Sequence, residues 1–322
     1  MPQNETLLFV CFNAFVLLML ALDLGVFHKK VHVVTVREAA WWSVVWITLS
    51  LLFGAGLFHF MGKQAGLEFL AGYLLEKSLS VDNIFVFILI FSYFGVPPQL
   101  QHRVLFWGVL GALIMRALFI ALGVVLITRF DWILYIFGFI LVVSGWKMMR
   151  SGEVEVHPER NFILRMAKKM FPVEVGYDSP RFILRKGGKI HITTLFLVLI
   201  AVETTDVIFA TDSIPAVFGV THDPFIVYSS NVFAILGLRA LYFVLAGVMT
   251  TFFYLKPGLS IVLIFIGMKM LAADLVHVSI GISLGVIGVI LTVSVIASII
   301  RNKKQISLRN NHRSPTSPEP LP

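Results

Sequence analysis

Five carboxylic acids stand inside long apolar stretches of this chain. Glu76 and Asp82 are six residues apart, and Asp206 and Asp212 repeat that spacing at an offset of 130, with Glu203 one helical turn before Asp206. A charge at the centre of a membrane helix costs roughly 2.5–3.5 kcal/mol even on a lenient insertion scale, so acids kept there serve a purpose. Clustered carboxylates are hard oxygen ligands, and neither acidic segment holds a Cys or His between its acids. Such a donor set favours Mn²⁺, Mg²⁺ or Ca²⁺ over Zn²⁺ or copper, and carrying a cation through the bilayer is the use it suits. Six residues advance a helix by about 600°, which leaves the two acids of each pair about 120° apart. Glu203 and Asp206, at i and i+3, share a face. For all five acids to meet one ion, the second acidic helix must unwind or the acids must line a cavity between helices. Pro215 and the polar run Thr204, Thr205, Thr211 and Ser213 fit a broken segment whose freed carbonyls add ligands.

Two arginines complete the charge pattern. Arg116 and Arg239 lie at the centres of two further apolar stretches, too deep to snorkel, so each should pair with an acid. Five carboxylates against two guanidiniums leave a surplus of three, or two if Lys77 turns inward, which is the order of one divalent cation. Asn83 and Asn231 either add neutral amide oxygens or hydrogen-bond between helices. The competing structural reading, ion pairs that merely hold helices together, leaves that surplus unexplained.

The elements that must position these residues follow from composition. With 58% apolar and 14% charged residues and 29 Phe, the chain is an all-α polytopic membrane protein. At about 20 residues per span, nine spans are expected near 6–27, 41–60, 68–94, 104–128, 131–149, 190–211, 226–250, 258–275 and 279–300. Residues 150–189 form a basic loop, and 301–322 read as a disordered tail ending in Ser-Pro-Thr-Ser-Pro-Glu-Pro. An outside N-terminus puts Lys29, Lys30, Arg37, Arg103, Lys256, nine basic loop residues and five in the tail on the cytoplasmic side, leaving only Lys63 and Arg129 outside. The net charge of +8 is therefore a topology signal, and scattered loop cations without a recognition fold exclude nucleic acid as partner. Cys11, the only cysteine, excludes an intrachain disulfide.

The stretches repeat. Asp82-Asn-Ile aligns with Asp212-Ser-Ile at an offset of 130, Phe94-Gly-Val with Phe218-Gly-Val at 124, Arg116-Ala-Leu with Arg239-Ala-Leu at 123, and Gly145-Trp-Lys-Met with Gly267-Met-Lys-Met at 122. Four matches in register predict duplication of a three-span unit, 68–149 and 190–275. Three is odd, so the copies are expected in opposite orientations, as in transporters whose site lies at the repeat interface near the midplane.

These residues resemble a known family. The run from Glu76 to Phe87, Glu-Lys-Ser-Leu-Ser-Val-Asp-Asn-Ile-Phe-Val-Phe, and that from Asp206 to Ala216, Asp-Val-Ile-Phe-Ala-Thr-Asp-Ser-Ile-Pro-Ala, are similar to two signatures of the TerC family of integral membrane proteins. Asn231 to Tyr242 resembles a third, and Leu22 to Lys30 with Arg37 to Ser43 point to its Alx-like branch. The resemblance implies a bacterial inner-membrane protein that exports Mn²⁺ or delivers it to exported enzymes, with a link to tellurite resistance. It carries the metal role onto Glu76, Asp82, Glu203, Asp206 and Asp212. One departure is Glu203-Thr-Thr-Asp206, where the family usually has Glu-x-Ser-Asp; a hydroxyl is retained.

The expectation is thus a non-enzymatic Mn²⁺ exporter working by alternating access, with protons as exchange ion and no resident cofactor. The alternative is a membrane interaction protein that docks secretion machinery or an exported enzyme through the 150–189 loop. An intramembrane aspartyl hydrolase, which also needs two buried carboxylates, is disfavoured because no span holds a Gly-x-Gly-Asp element.

Overall fold

The computed structural model describes residues 3–27, 35–130, 132–150, 161–246, 253–276 and 278–312. In chain order these form α1 (Gln3–Phe27), α2 (Val36–Phe60), α3 (Lys63–Phe94), α4 (Pro98–Arg129), α5 (Ile133–Arg150), α6 (Phe162–Met170), strands β1 (Val173–Glu174), β2 (Ile183–Lys186) and β3 (Lys189–Thr193), then α7 (Thr194–Phe218), α8 (Pro224–Leu236), α9 (Leu238–Ala246), α10 (Leu255–Leu271) and α11 (Ile280–His312). Each of the nine expected stretches contains helix among the described residues, which does not by itself make nine spans. Among the described residues five helices (α2, α4, α5, α7 and Ile280–Asn302 of α11) are long and apolar enough to cross a membrane, and the bent pair α8–α9 makes a sixth if taken as one span. α3 carries Glu76, Lys77 and Asp82 in its middle, and α10 has 17 residues.

Local chemistry sets the helix starts. Thr35, Thr193 and Asp223 are N-caps whose side chains accept backbone N–H bonds of α2, α7 and α8, and Pro98 and Pro224 occupy first-turn positions that need no donor. α3 stops at Gly95, whose φ of 62° is the left-handed conformation glycine adopts without penalty.

Several expectations are corrected. The 150–189 segment is not a plain loop: it contains α6 and leads into a three-stranded sheet ordered β1-β3-β2, with β3 parallel to β1 and antiparallel to β2. The following helix therefore begins at Thr194 rather than at 190. On this sheet Lys186 donates to Glu174 (2.6 Å) and so holds its carboxyl below the usual range. The expected span 226–250 is two helices bent by 40° at Gly237, with residues 247–252 outside the described residues. α11 continues past Arg301 to His312, into the segment expected to be disordered, and 313–322 lie outside the described residues. Lys29 and Lys30, used for orientation, also lie outside them.

Aromatic side chains join α1, α2, α3 and α8 in one core, with Phe53 at 4.8 Å from Phe233 and 5.2 Å from Phe69 between ring centroids. A second core packs Leu141 of α5 with Leu259, Val262, Leu263 and Ile266 of α10. α5 and α10 touch backbone to backbone. A Cβ on Gly138 would lie 2.9 Å from the Gly267 carbonyl oxygen, and one on Gly145 would lie 2.7 Å from the Ser260 carbonyl oxygen. Shifting 138 and 145 by 122 gives 260 and 267, so exchanging the two chain halves turns each contact into the other. α3 likewise packs on α8 as α7 packs on α4. Gly267→Leu should force α5 and α10 apart and destabilise the protein by about 1–3 kcal/mol or more. A melting temperature within error of wild type for the purified full-length variant would contradict that contact.

Candidate metal site

The centre of the bundle is organised by one guanidinium. Arg116, 2% exposed in the middle of α4, reaches three other helices. Its NH1 pairs with Oε1 of Glu76 on α3, and it donates to Asn231 Oδ1 on α8 (3.2 Å) and to Ser213 Oγ on α7 (3.4 Å). Its NH2 and Nε donate to the two oxygens of Asp206 on α7, at 3.2 and 3.4 Å. The planar fork suits that bidentate grip, which an ammonium could not reproduce. Glu76 is fully buried and Asp206 4% exposed, so one cation faces two buried carboxylates.

Helical periodicity explains which residues arrive. Seven residues advance a helix by about 700°, nearly two full turns, so residues at i and i+7 share a face. Glu76 and Asn83 are such a pair, and Asp206 and Ser213 are its counterpart at the offset of 130. The informative spacing is therefore seven rather than six. On α3 the same face carries Tyr73, Glu76, Ser80 and Asn83, all buried. Glu76 Oε1 is taken by Arg116, whereas Glu76 Oε2, Ser80 Oγ and the Tyr73 hydroxyl have no hydrogen-bond partner among the described residues, with Ser50 of α2 beside Tyr73. Across from this face stands Ser230 of α8, whose hydroxyl is 2.9 Å from where a Cβ on Gly72 would be, with Ser229 and Asn231 fully buried on either side of it in the chain. Buried oxygens without partners are where ordered water or an ion is accommodated. Tyr73 and Ser80 were missed in the sequence because hydroxyls cost hydropathy little; their spacing of three, seven and ten with Glu76 and Asn83 was the available signal.

The other acids go elsewhere. Asp212 accepts from Ser144 Oγ of α5 (2.6 Å), with Lys147 as an opposing charge. Asp82, half-buried, is opposed by Lys256 of α10. Glu203 presses its carboxylate against Gly111 of α4 and lines an open groove of about 400 Å³ between α4 and α7, bordered by Ile114, Met115, Phe196 and Ile200. It still senses the charge of Asp206, one turn on. Convergence of all five acids on one ion is thus corrected: among the described residues no three or more His, Cys, Asp or Glu side chains group closely enough to hold a metal. α7 runs unbroken through Pro215, which sits in its last turn, so the angular offset of the acids is never undone. Lys77 bonds to the Ala234 carbonyl (3.4 Å), and Arg239, half-buried on α9, is engaged by neighbours of its own.

Residues 61–306, which contain all of these side chains but Ser50, match the model of the Integral membrane protein TerC family. The chain belongs to the TerC family. An uncharacterized membrane protein of Myxococcus xanthus is 49% identical over 292 residues, 91% of this chain and 92% of that protein. The "Putative membrane-bound redox modulator Alx" of Escherichia coli K12 is 49% identical over 294 residues, 88% of this chain and 92% of the relative, and its Salmonella typhi counterpart of the same name is 46% identical over 308 residues, 92% and 96% respectively. No solved structure matches the chain. As a TerC-family chain it is an integral, multi-pass membrane protein associated with the lipid bilayer. The carboxylate–guanidinium centre of this TerC protein is buried within the helix bundle, where unpaired charge is expensive.

Proposed function

We propose that this TerC protein exports a hard divalent cation, Mn²⁺ foremost, by alternating access. The observation that carries the reading is the face of α3 with Glu76 at its middle: buried oxygens of Glu76, Ser80 and Asn83, beside Asp206, Ser213 and Asn231, in a centre assembled from α3, α4, α7 and α8. In this arrangement Arg116 stands between the carboxylates as a tethered cation. An arriving Mn²⁺ would displace the guanidinium from Glu76 and Asp206, and its departure would let the guanidinium return, so the centre never holds two bare buried charges. The exchange-symmetric contacts of α5 with α10, and of α3–α8 with α7–α4, support an inverted three-helix repeat whose halves rock about this centre. Glu203, one helical turn before Asp206, offers a further carboxylate near it, and nine spans with the N-terminus outside are the topology this reading assumes.

The test is Mn²⁺ flux into liposomes holding only the purified full-length protein. Uptake driven by an Mn²⁺ gradient, reduced by excess Mg²⁺ or Ca²⁺ according to selectivity, is the expected result. No flux above protein-free vesicles at any pH between 5 and 8 would reject transport.

A second reading is favoured by the separate surroundings of Asp82, Asp212 and Glu203: a scaffold whose acids lock helices together while α6 and the sheet engage an exported enzyme or secretion complex. The same vesicles separate the two, because a scaffold moves no ion.

A further inference from the structure

The helix α6 has three sectors, and among the described residues only one of them is packed against the rest of the protein. Asn161 caps it by accepting the Leu164 N–H (3.1 Å), and Leu164, 1% exposed, anchors it to the main core with Ala167 beside it. At about 100° per residue, Leu164 and Ala167 form the docked side. Phe162, Met166, Met170 and Ile163 fall together in the next arc, and Lys168, Arg165 and Lys169 in the third. The apolar arc is open: Phe162 is 69%, Met170 66%, Ile163 45% and Met166 44% exposed.

α6 also sits at one end of the bundle. The segment that follows it reaches the end of α3, where the Tyr177 hydroxyl donates to the Phe94 carbonyl (2.8 Å), and the start of α4, where Arg103 lies over the Phe182 ring. Ile163 borders the same groove as Ile114, which is 57% exposed on the membrane-length helix α4. The open apolar arc of α6 is thereby continuous with the exposed apolar side of a membrane-length helix, and the basic arc lies next to it. A helix docked on one side, apolar on the second and basic on the third fits the boundary of a bilayer rich in anionic lipid.

We infer that α6 is an interfacial helix that inserts Phe162, Ile163, Met166 and Met170 among acyl chains and holds anionic phospholipid headgroups with Arg165, Lys168 and Lys169. This binding is independent of whether an ion is transported. A soluble protein partner would leave the apolar arc in water until it arrived, which the following measurement detects.

In the full chain with Cys11→Ser, a small environment-sensitive fluorophore is attached at Met166→Cys, or at Met170→Cys as a second apolar position, and at Lys168→Cys as the basic one. Each protein is placed in nanodiscs of phosphatidylcholine alone or of equal phosphatidylcholine and phosphatidylglycerol. The apolar labels should be quenched by lipid-borne nitroxide near the headgroup and shielded from iodide, the Lys168 label should be open to iodide, and the contrast should grow with phosphatidylglycerol. With the label at position 166, Lys169→Gln should shift its lipid-to-water partition about fivefold toward water in the anionic discs, the equivalent of one surface charge. Apolar labels as open to iodide as the Lys168 label, or labels indifferent to phosphatidylglycerol, would overturn the assignment.

Discussion

Arg116→Met is expected to destabilise the protein by about 3–5 kcal/mol, the range for removing one partner from a buried ion pair. The substitution roughly preserves volume, so the loss is electrostatic: Glu76 and Asp206 would face one another across a buried space with no counter-charge, and Ser213 and Asn231 would lose a donor. Arg116→Lys should restore little, because one ammonium cannot serve both oxygens of Asp206 while also reaching Glu76 and Asn231. Combining Arg116→Met with Glu76→Gln and Asp206→Asn should recover part of the loss, since the uncompensated charges leave together. Thermal unfolding of the purified full-length proteins in one detergent measures all three. Wild-type melting of Arg116→Met would mean that the guanidinium does not organise this centre.

Glu76→Gln and Asp206→Asn should each slow Mn²⁺ flux by roughly 10–100-fold. That range follows from losing one charged ligand contact worth about 1.5–3 kcal/mol. The amide keeps shape and one oxygen, yet leaves Arg116 paired with a single carboxylate, a neutral pair with less reason to admit a dication. Both variants should fold, which protein yield and melting temperature would establish beside the flux. Full flux in both would remove these residues from the pathway. Asp82→Asn and Asp212→Asn discriminate further. An equal loss there would mean that the outer acids, held here near Lys256 and by Ser144, join the path in the opposite-facing state.

Much of this protein is determined by local chemistry and was readable as such. Apolar runs, polar caps and the prolines at the starts of α4 and α8 place the helices, because each signal acts within a few residues of itself. Arg116 was recognisable as an arginine that needs an acid, since a buried guanidinium has no other resolution. The family was legible in the run from Glu76 to Phe87. Which acids answer Arg116 was not legible. Periodicity fixes the angle between Glu76 and Asp82 on one helix but says nothing of how α3 and α7 are rotated toward α4, and that rotation alone separates Glu76 and Asp206 from Asp82 and Asp212. The bend at Gly237, the sheet ahead of α7 and the helical course of α11 past Arg301 were also not legible in the sequence. Composition had marked two of those segments as polar, and polarity excludes burial without excluding regular backbone; what it cannot report is a contact made by residues a hundred positions apart.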